Sequence, residues 1–278
     1  LSSRAASCER CREIDQHFVW EVSVPHSAPA LALSELNRIL GLQAEISPGT
    51  LTGSSQKKLF AQIDSARFQR QFASSSASQR AVLNSETLPG ASSFLSAIPS
   101  KKLGLAFDPA EFVCELQAHL WMNVYPHDRF CPCCDAVLDS KGGHAHACMA
   151  AGDVVACHNG VRNLVGWVAT SAGLAPSLEH PGLLPPRPDD PAGSNLRRPA
   201  DTYLPTWVHG APAALDFAIV SPLRQAAENA GAAARAYETF KRTHLNTETE
   251  CGQQGVTFVP MVAESSGGWG PEGLQTLR

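Results

Sequence analysis

The chain contains 278 residues, of which 44% are hydrophobic and 17% are charged, and its formal net charge is −4. Since about 150 residues per domain is a usual guide, this length predicts two modules with enough apolar side chains to build a core. The charge balance excludes a uniformly basic domain, which is the usual sign of a nucleic-acid-binding protein, and leaves such a function to local groups of residues.

The apolar residues do not form a membrane-spanning run. The longest weakly apolar stretch, 164–178, is interrupted by Gly, Ser, Thr and Pro, whereas a spanning helix needs about 18 or more apolar residues, so we expect no membrane association. The chain begins with Leu1 and shows no signal-peptide pattern, and we expect it to be a piece of a longer protein.

Residues 1–86 are polar and rich in serine and glutamine. They predict a poorly ordered region of short helices and linker, with a break in the serine-rich run 73–78. An early pair, Cys8 and Cys11, has the spacing of half a zinc site, but no second half lies nearby.

Residues 87–130 predict a helical lead-in. Asp108 is suited to cap a helix, Pro109 to occupy its first position, and Glu111 to complete a capping box. Apolar residues then recur at helical spacing, which predicts a helix of about four turns that ends before Pro126.

Residues 131–150 concentrate four of the nine cysteines among two histidines. The pattern predicts a tetrahedral zinc knuckle with Cys131, Cys134, His144 and Cys148 as ligands, and Cys133 and His146 as spare donors. An odd cysteine count with this clustering favours metal binding in a reducing compartment over a disulfide scaffold. The alternative is that these are small buried cysteines in an ordinary loop.

Residues 151–278 predict a small α/β domain. We expect a helix from about 158 to 173, an exposed proline-rich loop over 176–198, and a hairpin of strands 201–207 and 213–221. A helix over about 223–245 and a strand over 256–263 follow. Because Pro205 cannot donate a ladder hydrogen bond, the first hairpin strand is expected at a sheet edge or at a bulge.

Two acids of this hairpin could share a metal ion. Asp201 opens the first strand and Asp216 stands inside the apolar second strand, where an unpaired charge is costly. Carboxylates on adjacent strands can converge on Mg²⁺, which activates water and stabilises charge on a phosphodiester. The alternative is one solvent-facing acid and one acid paired with an arginine.

Other residues could assist such a site. Lys241, on the following helix, could offset phosphate charge, and His158 with Asn159 could bind phosphate at a helix N-terminus, unless Asn159 is only a cap. Arg198 belongs to a local basic rim beside the two acids. Glu179 is a further catalytic candidate whose direction the sequence does not determine.

The order of these motifs resembles the C-terminal tail of non-LTR retrotransposon reverse transcriptases that carry a restriction-like endonuclease. In that tail a CCHC knuckle precedes a basic-His-Asn/Asp element, a Pro-Asp pair and an Asp about a dozen residues later. Residues from about 86 to 269 follow this order, or about two thirds of the chain. Because no Tyr/Phe-x-Asp-Asp box is present, we expect no polymerase activity.

The resemblance implies a PD-(D/E)xK, restriction-endonuclease-like α/β domain behind a helical segment and a small zinc knuckle. It implies nuclear, magnesium-dependent nicking of target DNA, with DNA and element RNA as partners. The residues that match the family's motifs are, for structural zinc, Cys131, Cys134, His144 and Cys148; for catalytic magnesium, Asp201 and Asp216; for the active-site lysine, Lys241; and for support, His158 and Asn159.

Three positions depart from the family pattern. Cys157 stands where a basic residue precedes the histidine, Ala200 separates Pro199 from Asp201, and Ala218 stands where a lysine follows the second acid. These departures favour the alternative of a catalytically inactive, zinc-dependent nucleic-acid-binding remnant. A zinc-stabilised interaction domain is a third interpretation.

Overall fold

The computed structural model describes residues 34, 37, 38, 41, 55–103, 106–188, 190, 197–224 and 229–278. The pair Cys8 and Cys11 lies outside them. The chain divides into two units, 1–74 and 75–278, and the first contains helix α1, Ser55–Ser74. Within the described residues, no helix has the length and apolar character required to cross a membrane.

The second unit combines helices with two sheets. Its elements are α2 Ala77–Glu86, α3 Pro109–His119, β1 Arg129–Phe130, β2 Val137–Leu138, α4 Asp153–Ser171, β3 Ser177–Leu178, β4 Thr202–Leu204, β5 Ala213–Val220, α5 Ala232–Thr243, α6 Thr247–Gln253, β6 Thr257–Glu264 and α7 Pro271–Thr276. Strands β1 and β2 pair as a short antiparallel hairpin, and β3 to β6 form a mixed sheet. The predicted α/β class is confirmed.

Helix α3 begins as its sequence predicts. Asp108 Oδ1 accepts hydrogen bonds from the backbone N–H of Ala110 and of Glu111, and the Glu111 carboxylate accepts the N–H of Asp108. The helix ends at His119, earlier than predicted, because Trp121 takes a positive φ of 54° that helical geometry excludes.

The mixed sheet has the order β3-β4-β5-β6. Strands β3, β4 and β5 are antiparallel neighbours, and β5 runs parallel to β6. The predicted hairpin is confirmed, but two details were wrong. The proline-rich segment includes strand β3 at its start, and β4 is an interior strand that ends at Leu204, so Pro205 lies outside the ladder.

The predicted single helix over 223–245 is also wrong. A 3₁₀ turn covers Pro222–Arg224, and α5 begins only after Gly231, whose φ of 70° suits glycine. Leu245 and Asn246 then take positive φ values, which breaks the helix and redirects the chain into α6.

Helices cover both faces of this sheet. Side chains of α4 pack on one face, against a cluster that includes Leu215, Phe217 and Met261. Helix α5 packs on the other face, against Val220 and Val262. Because alternate residues of a strand point to opposite faces, Asp216 lies on the α5 face, between two residues that point toward α4.

Two buried carboxylates accept backbone hydrogen bonds at the N-termini of α5 and α7. Glu264, which is 2% exposed, accepts a hydrogen bond from the backbone N–H of Ala234 in the first turn of α5. Glu238 accepts the N–H of Glu272 in the first turn of α7. The residues at both N-caps, Gly231 and Gly270, have no side chain for this role, so strand β6 and helix α5 supply the acceptors.

Helices α2 and α3 meet at a partly buried acid and histidine. His119 Nδ1 lies 3.3 Å from Glu86 Oε1, but the contact lacks hydrogen-bond geometry, since this buried oxygen has no hydrogen-bond partner. Burial raises the pKa of Glu86 to about 7, and burial lowers the pKa of His119. The folded unit therefore favours the uncharged form of both groups.

This geometry predicts how Glu86→Gln changes stability with pH. Between pH 4.5 and about 7, the folded state keeps a proton on Glu86 that the unfolded state has released, so the free energy of unfolding falls as pH rises. We expect the variant to be more stable than the parent at pH 8, by on the order of 2 kcal/mol.

The two proteins should converge in stability well below pH 4.5, where Glu86 is protonated in both the folded and the unfolded state. The lowered pKa of His119 has the opposite effect: below pH 6.5 it makes the free energy of unfolding rise with pH. This effect is present in both proteins. Urea unfolding across this pH range measures the difference. Stability curves that stay parallel at every pH would contradict the prediction.

Candidate active site and metal centre

Four polar side chains form a continuous row across the mixed sheet, from α4 to α5. They are His158 on α4, Asp201 immediately before β4, Asp216 in β5 and Lys241 on α5. Each is only partly exposed, with side-chain exposures between 17% and 27%. The two acids that the sequence singles out therefore lie together, with a basic group at either end.

Asp201 is held by backbone and side-chain hydrogen bonds. Its carboxylate Oδ2 accepts the backbone N–H of Phe217 at 2.7 Å and contacts His158 Nε2 at 3.0 Å. Its own N–H donates to the carbonyl of Leu215 at 3.0 Å. Because Leu215 and Phe217 flank Asp216 in β5, these bonds place the Asp201 carboxylate beside that of Asp216.

Asp216 is paired with Lys241. The Nζ of Lys241 lies 2.9 Å from each carboxylate oxygen of Asp216. Tyr237, one turn earlier on α5, lies beneath the same ammonium group, with its ring centroid 5.9 Å from Nζ. The lysine therefore reaches the site from a helix that follows the strand.

The two acids have opposite pKa shifts. Burial raises the pKa of Asp216 to about 6, and the nearby Asp201 adds to this rise while Lys241 opposes it. Burial also acts to raise the pKa of Asp201, but the hydrogen bonds from His158 and the Phe217 N–H outweigh it and hold that pKa below its usual value. Such a separation of neighbouring carboxylates is typical of catalytic sites.

His158 and Asn159 do not lie at a helix N-terminus. Helix α4 begins at Asp153, because Gly152 takes a φ of 79° and starts the helix earlier than the sequence predicts. His158 is therefore in the second turn of α4. The prediction that it binds phosphate at a helix N-terminus is wrong. Instead its hydrogen bond to Asp201 raises the pKa of the imidazole.

Glu179 and Arg198 meet at the edge of this row. Arg198 lies 3.3 Å from Glu179 Oε2, and Arg162 of α4 contacts Glu179 Oε1. The N–H of Glu179 donates to the carbonyl of Asp201 at 2.9 Å. Sequence reasoning missed Arg162, although its position four residues after His158 predicts that both lie on one helix face.

The knuckle residues form a second site. The ligand atoms of Cys131, Cys134, His144 and Cys148 all lie within 4.8 Å of one another and could hold a metal ion. The Sγ of Cys148 is 3.8 Å from that of Cys131 and 3.9 Å from that of Cys134. A tetrahedral ion with bonds of about 2.3 Å to sulfur would separate its sulfur ligands by about 3.8 Å, so the distances fit.

The cluster thiols are reduced and chemically suited to a cation. None of the seven cysteines that the structure describes forms a disulfide, and the sulfur separations in the cluster are far above the roughly 2.05 Å of an S–S bond. The N–H of Cys133 donates to Cys131 Sγ and is the main reason that the pKa of Cys131 falls to about 6. Cys133 thus contributes its backbone, and Cys131 readily supplies a thiolate.

Asp139 holds the loop that presents His144. Its carboxylate accepts the backbone N–H groups of Lys141, Gly143 and His144 at 2.7 to 3.1 Å. Burial acts to raise the pKa of Asp139, but these three donors outweigh it and lower that pKa. An aspartate followed by Ser-Lys-Gly-Gly was the available sequence signal for this turn.

Comparison of the chain with protein-family models, curated proteins and solved structures found no match. The class of protein must therefore be inferred from the two sites and the fold that carries them. These are a mixed α/β sheet with an acid-lysine row, and a Cys₃His cluster able to hold a metal ion.

Proposed function

We propose that the chain is a metal-dependent DNA endonuclease, derived from a retroelement, with a nucleic-acid-binding zinc knuckle. One observation carries the proposal: Asp201, Asp216 and Lys241, which are far apart in sequence, converge on one point of the sheet. Paired carboxylates beside a lysine match the chemistry of phosphodiester cleavage, where a metal ion and a cation offset developing negative charge.

The arrangement of the sheet supports the restriction-like form of this proposal. Helix α4 precedes three antiparallel strands, and helices α5 and α6 lead to a fourth strand that is parallel to the third. Asp201 immediately precedes β4 and Asp216 lies in the neighbouring strand β5, which is the arrangement that a PD-(D/E)xK site would require. Lys241 takes the place of the lysine that is missing at Ala218, because α5 brings its ammonium to Asp216.

The residues present fit a magnesium ion. Asp201 and Asp216 offer the hard oxygen ligands that Mg²⁺ prefers, and such an ion would lower the pKa of a bound water and polarise the phosphate. The chain's own residues orient the acids and place positive charge. His158 and the Phe217 N–H hold Asp201, while Lys241 holds Asp216 and supplies a cation for the phosphate.

The Cys₃His cluster is proposed to bind zinc, since three thiolates and an imidazole at these separations suit that ion best. The knuckle would bind DNA or element RNA near the nuclease site. Because the substrate would be chromosomal target DNA, we propose a nuclear location.

The test is a nicking assay on supercoiled plasmid DNA. The protein, purified with zinc, should convert supercoils to open circles with Mg²⁺ and leave them intact when Mg²⁺ is omitted. DNA binding should be measured on the same preparation. Binding without Mg²⁺-dependent nicking would overturn the nuclease and favour the inactive nucleic-acid-binding remnant that the Cys157 and Ala200 departures suggest.

A further inference from the structure

Helix α4 presents two side chains to the β3–β4 edge of the sheet. His158 contacts Asp201, and Arg162, one turn later, contacts Glu179. Four residues of helix advance about 6 Å along its axis. The arginine therefore lies one helical turn beyond the proposed magnesium ligands.

Glu179 bridges two arginines. Its Oε1 contacts Arg162, whose side chain is 15% exposed, and its Oε2 lies 3.3 Å from Arg198, whose side chain is 49% exposed. One carboxylate thus orients two guanidinium groups, and the three residues together keep a net positive charge. Arg198 also retains solvent-facing donors that could contact an anion.

The backbone ties this group to the proposed active site. Glu179 takes a φ of 52°, which is rare for a residue other than glycine. In this conformation its N–H donates to the carbonyl of Asp201. An unfavourable conformation at a site is a reason to seek a function there.

A second group of two arginines and one glutamate has a purely structural role and serves as a comparison. Arg187 and Arg197 both contact Glu250 of α6. The guanidinium group of Arg187 also donates to the carbonyl of Leu245, and that of Arg197 donates to the carbonyl of Pro185. These arginines therefore fasten loops to α6. In the part of the chain that the structure describes, Arg198 makes no such carbonyl bond. Arg162 donates from Nε and Nη2 to the side-chain oxygen of its neighbour Asn163 in α4, so these donors do not fasten it to another loop.

The geometry points to a phosphate-binding subsite formed by Arg162 and Arg198 and held by Glu179. It would bind the DNA phosphodiester next to the one that is cleaved, and it rests on the proposed nuclease function. Guanidinium groups bind phosphate oxygens through paired N–H donors. Glu179 then acts as a positioning residue and does not touch the metal or the reacting phosphate.

The test measures binding of a short DNA duplex at several salt concentrations in buffer without Mg²⁺, so no cleavage is needed. A phosphate contact contributes about 0.9 to the slope of log K against log salt. We expect Arg198→Gln and Arg162→Gln each to reduce that slope by about this amount and to weaken binding about tenfold at moderate salt. In nicking assays KM should rise while kcat at saturating DNA stays near that of the parent.

Arg197→Gln is the matched control, because it removes the adjacent arginine from the structural group. It should leave the salt slope unchanged. An equal loss of slope in this control, or an unchanged slope in the Arg198 variant, would overturn the subsite. A parent protein that binds no DNA would instead overturn the proposed function itself.

Glu179→Gln separates positioning from catalysis. The subsite predicts a higher KM with an unchanged kcat and an unchanged Mg²⁺ concentration for half-maximal nicking. A large loss of kcat, with a shifted Mg²⁺ requirement, would show that Glu179 is a metal ligand and would contradict its positioning role.

Discussion

Asp216→Asn is expected to reduce Mg²⁺-dependent nicking by at least about 100-fold, the size of effect seen when a group that stabilises transition-state charge is removed. The amide has the same shape but carries no charge. It therefore offers a divalent cation a weaker, uncharged ligand beside Asp201. It also cannot form an ion pair with Lys241, whose Nζ lies 2.9 Å from both carboxylate oxygens.

Lys241→Met complements this variant. It keeps the length of the side chain and removes the ammonium group, so it should lower kcat and leave the metal ligands in place. The circular dichroism and zinc content of both variants should match those of the parent.

An exposed acid provides the control. Asp64 on α1 has a side-chain exposure of 71% and contacts Arg67, so Asp64→Asn should nick as the parent does. Nicking that survives in the Asp216 variant would remove the basis of the proposed enzyme, because the convergence of Asp201 and Asp216 would then have no catalytic consequence.

Cys148→Ser is expected to abolish stoichiometric zinc binding and to unfold the knuckle. Little apolar packing holds this region: Phe130 is 80% exposed and Val137 is 55% exposed, while Leu138 is buried. The metal would supply the missing stabilisation, since structural zinc binds with an apparent free energy of about 10 to 16 kcal/mol. Replacing a thiolate by a hydroxyl removes one of four ligands.

Cys133→Ser is the control within the same loop. Its side chain is exposed, and its contribution to the cluster is a backbone N–H donated to Cys131. We expect this variant to bind one zinc ion per chain, as the parent should. Metal analysis after gel filtration measures the content. Equal loss of zinc in both variants, or retention in both, would contradict the assignment of ligands.

Local spacing was enough to predict several parts of this protein. The capping box of α3 depends on Asp108 and Glu111, three residues apart, and forms as predicted. The Cys131-x2-Cys134 pair and the His144-x3-Cys148 pair likewise lie within short turns, and the structure brings all four ligand atoms together. Such features depend on neighbouring residues, so the sequence contains the whole signal.

Helix and strand ends were harder to predict because backbone conformation decides them. Gly152 and Gly231 take positive φ values at the starts of α4 and α5, while Trp121 and Leu245 take positive φ values without being glycine. The two-residue strand β3 is too short to show alternation, and only its pairing with β4 defines it.

The sequence by itself determined the residue types at both sites, the hairpin that carries Asp201 and Asp216, and the knuckle ligands, because each depends on short-range patterns. Only the tertiary structure decided that β5 pairs in parallel with β6, that Lys241 reaches Asp216, and that Glu179 faces two arginines. These contacts join residues that are 17 to 44 positions apart. Sheet order and helix packing, which local sequence does not specify, bring them together.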